Sequence, residues 1–85
     1  QMAQKPVKDR LAETLIYLEE TFGLDNEKCI DVILTREEIA NTIGTATESA
    51  IRLLSNLKKD GVIDLIGKKI KIINRNALKN LSEGY

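Results

Sequence analysis

The sequence predicts an α+β domain of about four helices with a short strand and a β-hairpin, a winged helix-turn-helix. Three observations carry that expectation. Two S/T-x-x-E cap patterns, Thr35–Glu38 and Thr45–Glu48, stand on either side of Gly44, which marks two helices joined by a tight turn. Two short β-rich runs, Val62–Ile66 and Lys69–Ile73, flank Gly67-Lys68 and read as a hairpin. The apolar residues Val7, Leu11, Leu15, Leu18 and Phe22 recur every three or four positions ahead of both, the spacing of one amphipathic helix.

Taken in order, Gln1–Pro6 reads as a disordered lead-in or linker remnant, and residues 7–85 as the domain. The first helix covers Val7–Phe22 and stops at Gly23. Leu24–Lys28 is a polar loop, and Cys29–Leu34 has the composition of a short strand. The capping box at Thr35 and Glu38 starts a helix that runs to about Ile43. A second begins within two or three residues of Gly44 and reaches about Asp60, with Gly61 closing it. Two helices this close must cross rather than lie end to end. Ala40 is small enough for the crossing, and Ile39, Ile43, Ala50, Leu53, Leu54 and Leu57 form the shared interior. In the second hairpin strand Ile70 and Ile72 alternate with Lys69 and Lys71, giving one apolar and one cationic face. Asn74 or Asn76 caps a last short helix through Ala77, Leu78 and Leu81.

Composition narrows the function classes. Eighty-five residues make one modest core, and 42% apolar with 31% charged residues is an ordinary globular balance. Histidine is absent, which removes the commonest general base and metal ligand. A serine or cysteine nucleophile would lack an imidazole partner, so the sequence reads as a non-enzyme. The single cysteine, Cys29, lies in an apolar run and reads as a buried filler. No apolar run reaches the length of about 18 residues that suggests a membrane span, and the expected setting is soluble and cytoplasmic. The net charge of zero averages two unlike halves. Residues 1–46 hold five basic and nine acidic groups, whereas residues 47–85 hold eight basic and four acidic. Positive potential is thereby gathered downstream, where a phosphate backbone could sit.

The second helix of the pair carries the candidate chemistry. Thr47, Glu48, Ile51 and Arg52 share one helical face. Arginine offers a bidentate donor pair to guanine and glutamate accepts from cytosine, so Glu48 and Arg52 can address adjacent G·C pairs and orient each other. Ile51 can meet a thymine methyl. Lys68, Lys69 and Lys71 are either a solvated strand face or contacts to a nucleic-acid backbone.

Leu34–Gly44 (LTREEIANTIG) followed by Thr45–Leu54 (TATESAIRLL) resembles the C-terminal domain of the Crp/Fnr family of bacterial transcription regulators. Gly61-Val-Ile, Gly67-Lys-Lys-Ile and the closing NRNALKNL, Asn74–Leu81, resemble that family's wing and final helix, so the likeness runs from near Arg10 to Leu81. It implies sequence-specific binding of double-stranded DNA by the output domain of a homodimeric regulator, with RNA polymerase as a further candidate partner and no cofactor in this domain. It also implies an N-terminal sensor, absent from this chain, for a cyclic nucleotide, haem, an iron–sulfur cluster or another effector. By position, Glu48 and Arg52 would contact bases, and Thr47 and Ile51 would tune the half-site. Thr35, Arg36, Ala46, Ser49 and Lys68 match phosphate-facing positions, with Lys69 beside them on the wing. Two departures stand out. Thr47 replaces the arginine of the cyclic-AMP-responsive member, and Ala46 replaces the usual Ser or Thr cap. The pattern implies G·C pairs inside a half-site of the TGTGA or TTGAT kind. The competing reading is a winged-helix protein-interaction module without DNA readout, which the low pI favours and the Glu48/Arg52 pair opposes.

Overall fold

The computed structural model describes residues 5–84. Helix α1 spans Val7–Phe22 and buries Leu11, Ala12, Leu15 and Leu18 along one face, the face its apolar spacing defines. Helix α2, Arg36–Ile43, starts at a complete capping box. The Thr35 hydroxyl accepts from the Glu38 N–H at 3.0 Å, and the Glu38 carboxylate accepts from the Thr35 N–H at 2.8 Å. It ends at Gly44, whose φ of 79° lies in the left-handed region. Helix α3, Thr47–Lys59, packs against α2, and Ala40 and Ala50 are both buried. Strands β1, Ile63–Ile66, and β2, Lys69–Ile72, pair antiparallel with Ile63 opposite Ile72 and Ile66 opposite Lys69. Helix α4, Arg75–Ser82, is capped by the Asn74 side chain on the Ala77 N–H and lies against α1. Among the described residues these are the named helices and strands, and they match the α+β winged helix-turn-helix architecture expected.

One apolar core joins the parts. Leu11 and Leu15 from α1, Ile39 and Ile43 from α2, and Leu54 and Leu57 from α3 are all fully buried. Ile63, Ile70 and Leu78 continue the core under the hairpin and α4. Cys29 is also fully buried, as its apolar neighbours suggest. Burial pushes its thiol pKa up, with the nearby Asp25 carboxylate adding to the shift, which disfavours the reactive thiolate.

Three expectations change on contact with the structure. Cys29–Leu34 does not form a strand. Ile30 makes a single bridge to Leu24 and donates its N–H to the Ile70 carbonyl at 2.8 Å. The Val32 N–H then returns to the Ile30 carbonyl, a γ-type turn that takes the chain off the hairpin edge. The cap pattern at Thr45 is not used either. The amides of Gly44 and Thr45 both return to the Ala40 carbonyl and finish α2, so α3 begins one residue later, with Ala46 as an N-cap that offers no side-chain oxygen. The lead-in over residues 1–6 divides. Residues 1–4 lie outside the described residues, while Lys5 is half-buried and bonded to the domain. Pro6 stands at the N-cap position of α1 with no side-chain cap bond, its carbonyl accepting from the Arg10 N–H at 3.0 Å, and Lys5 Nζ reaches the Ser82 carbonyl at 2.7 Å and Glu13 at 3.2 Å.

Candidate nucleic-acid interface

The two faces of α3 differ sharply. Its inner side buries Ala50, Leu54 and Leu57, whereas Glu48, Ile51, Arg52 and Ser55 are exposed on its outer side. Ile51 stands 45% exposed between two charged residues, a position that packing does not require. Thr47 is half-buried in the first turn. Glu48 and Arg52 share the face, yet no ion pair within 4.0 Å joins them, so the expected mutual orientation is not made. Neither charged group is held by another ion pair among the described residues.

The predicted phosphate-facing residues fall in three places. Ala46 and Ser49 sit at the start of α3, where the first backbone N–H groups meet no side-chain cap. Ser49 and Arg52 also line a shallow groove with Val7, Thr45, Leu53 and Asn56. Thr35 and Arg36 lie at the start of α2, with the Thr35 hydroxyl oxygen already accepting from Glu38. Lys68 is exposed in the two-residue hairpin loop, after Gly67 at φ 62°. Lys71, half-buried, faces Asp64 across the hairpin.

Lys69 is placed differently from its neighbour. Its ammonium donates to Asp25 Oδ2 at 2.6 Å, tying the wing to the loop after α1. The other Asp25 oxygen accepts from the backbone N–H groups of Glu27 and Cys29, at 2.8 and 2.9 Å. The Lys69 hydrogen bond, then the Cys29 N–H, hold the Asp25 carboxyl below the usual carboxylate range, and the same contact raises the Lys69 ammonium pKa. Asp25, Glu27 and Cys29 are also the described residues whose ligand atoms cluster within 4.8 Å. Asp25 is fully engaged there by Lys69 and the turn amides, which accounts for the cluster without a metal ion. Nothing in the local sequence announces the Asp25–Lys69 contact, because its partners lie 44 residues apart.

This latch has a pH dependence of defined sign. A carboxylate whose folded pKa is depressed contributes stability that is present above its unfolded pKa, about 4, and lost as pH falls through the lower folded value. The raised Lys69 pKa contributes below the unfolded lysine value, about 10.4, and that contribution is lost as pH rises through the folded one. Urea denaturation of the Asp25→Asn variant is therefore expected to show lower stability than the parent near neutral pH. The difference should shrink as pH falls below about 5.

An exposed polar face on the second helix of a helix-turn-helix, followed by a β-hairpin and a closing helix, defines the class of winged helix-turn-helix domains. Residues 9–81 match the Crp-like helix-turn-helix domain, and the chain belongs to that family. It is 31% identical over 83 residues to electron transport regulator A of Shewanella oneidensis, covering 95% of this chain and 33% of that protein. The fumarate and nitrate reduction regulatory protein of Escherichia coli K12 is 30% identical over the same length, with the same coverages. A Crp/Fnr-family transcriptional regulator from Thermus thermophilus superposes with a TM-score of 0.83 at 26% identity, over 94% of this chain and 42% of that one. The chain thus spans about a third of the length of these two sequence relatives.

Proposed function

We propose that this domain binds double-stranded DNA sequence-specifically as the output domain of a Crp/Fnr-like transcription regulator. The observation that carries the reading is the outer face of α3, where Glu48, Ile51 and Arg52 are exposed above a buried inner face and neither charged group has an ion-pair partner among the described residues. A helix set this way can enter a major groove with its N-terminal residues at base edges. In this reading Arg52 donates to guanine and Glu48 accepts from cytosine, while Thr47 and Ile51 adjust the flanking bases. The uncapped amides from Ala46 onward, with Ser49, suit a phosphate at the helix N-terminus. Thr35 and Arg36 lie at the start of the supporting helix and touch the backbone beside it. The full-length protein would act as a homodimer on two half-sites about 34 Å apart, with an effector-sensing domain ahead of this one and RNA polymerase among its partners. This domain alone would bind more weakly and carry no cofactor.

The deciding experiment is site selection from a random duplex library with this chain, followed by anisotropy titrations on the winning sequence. Enrichment of half-sites with G·C pairs supports the reading. Failure to retain any duplex would favour the protein-interaction alternative instead.

On the wing, Lys68 supplies the grip, since Lys69 already faces Asp25. Each phosphate contact contributes about 0.9 to the slope of log affinity against log salt. Lys68→Ala is expected to reduce that slope by about this amount. Lys69→Ala is expected to change it less, as measured by anisotropy across a salt series.

A further inference from the structure

We propose that Arg10, a residue of α1 outside the reading face, is a positioning residue that sets the orientation of α3. The proposal rests on the DNA reading above for its functional consequence, and on hydrogen-bond geometry for its mechanism. Arg10 lies in the first turns of α1 and is half-buried. Its Nε donates to the Ile43 carbonyl at 2.8 Å, and its Nη1 donates to the Lys5 carbonyl at 2.8 Å. One planar group therefore ties the end of α2 to the backbone where the chain enters α1.

Ile43 is where such a tie has most leverage. It is the last residue of α2, and its carbonyl belongs to the final turn that helix geometry leaves without partners. Among the described residues no turn, loop or cap amide donates to the Ile43 carbonyl, since those of Gly44 and Thr45 go to Ala40 and that of Ala50 goes to Ala46. No basic residue of α2 itself lies in that last turn to meet the negative end of the helix dipole. Arg10 brings the missing cation from another helix. A Cβ built on Gly44 would lie 3.7 Å from Arg10 Nη2, so the guanidinium also covers the turn itself. Among the described residues no carboxylate pairs with Arg10 within 4.0 Å. Its interaction is with carbonyl dipoles, and only a rigid fork of donors reaches two of them at once. Only Gly44, Thr45 and Ala46 separate the held carbonyl from the start of α3.

The chemistry assigns distinct results to distinct measurements on the 85-residue chain. Residual dipolar couplings of backbone amides report the angle between α1 and α3. Anisotropy on the selected duplex and on random duplex reports reading and grip separately. For Arg10→Gln, α3 is expected to rotate relative to α1. Affinity for the selected duplex should fall by about tenfold, the order of one mismatched base pair, while random-duplex affinity stays within about twofold because phosphate contacts tolerate small rotations. Arg10→Lys keeps the charge but cannot span both carbonyls, so it should give an intermediate rotation and loss. It also serves as the test should the glutamine variant fail to fold. An unchanged α1–α3 angle in the folded variant overturns the proposal whatever the DNA titrations give. A rotated α3 with undiminished selective affinity overturns its link to reading. If the parent chain selects no sequence, the DNA reading fails by itself, and the couplings still decide whether Arg10 sets the helix angle.

Discussion

Arg52→Ala is expected to lower affinity for the selected duplex by about 1–3 kcal/mol and to relax preference at one base pair. Affinity for random duplex should change far less, because a base-edge contact contributes little where the base is wrong. The prediction follows from where the guanidinium stands. It is on the outer face of α3, exposed and without an ion-pair partner among the described residues. For the same reason thermal stability should stay within about 0.5 kcal/mol of the parent, the usual range for surface substitutions. Parallel anisotropy titrations and melts separate the outcomes. Equal losses on selected and random duplex would make Arg52 a phosphate contact and move the readout to other residues. No loss on either would place the reading face elsewhere.

Glu48→Gln would report on the same geometry from the other side, since the two groups do not hold each other in the free domain. Their alignment must therefore come from the helix that carries them. That shifts attention from the exposed face to what fixes α3 beneath it.

Much of that scaffold was legible because its causes are local. The spacing of Leu11, Leu15 and Leu18 gives α1 directly, and the reciprocal Thr35–Glu38 bonds give the start of α2 to the residue. Gly44 and Gly67, both at positive φ, mark the turn between α2 and α3 and the hairpin loop. The misreadings share one cause, which is competition from a partner that no short window contains. Cys29–Leu34 has strand composition, yet only Ile30 finds a place at the hairpin, through Ile70. Thr45 has the right residue three positions ahead for a cap, yet its amide is already committed to Ala40. Lys69 and Lys68 are adjacent and chemically identical, and Asp25 distinguishes them. Arg10 gave no signal at all, since its partners are carbonyls, which every residue has. The face chosen for reading was legible from helical spacing alone. Its contacts with DNA remain the proposal that the Arg52 titrations test.

Leu54→Ala should have the opposite profile to Arg52→Ala, although the residues are two positions apart. Leu54 is 1% exposed, on the inner face of α3, in the cluster with Ile39, Ile43 and Leu57. Removing its branched end loses the transfer free energy of the buried methyl groups and leaves a cavity that a close-packed interior refills only in part. The expected cost is about 2–5 kcal/mol. At roughly 0.05–0.15 kcal/mol per residue, that is a large share of what a chain of this length has in total. Because a small domain loses about 4–8 °C in melting temperature per kcal/mol, the melt should fall by about 10 °C or more. At a temperature where the variant is still folded, its selected-duplex affinity should stay close to that of the parent, since no reading group has been touched. A stable Leu54→Ala variant with weakened selective binding would mean that α3 adapts to the cavity by moving, and that its packing against α2 does not by itself fix the angle at which Glu48 and Arg52 are presented.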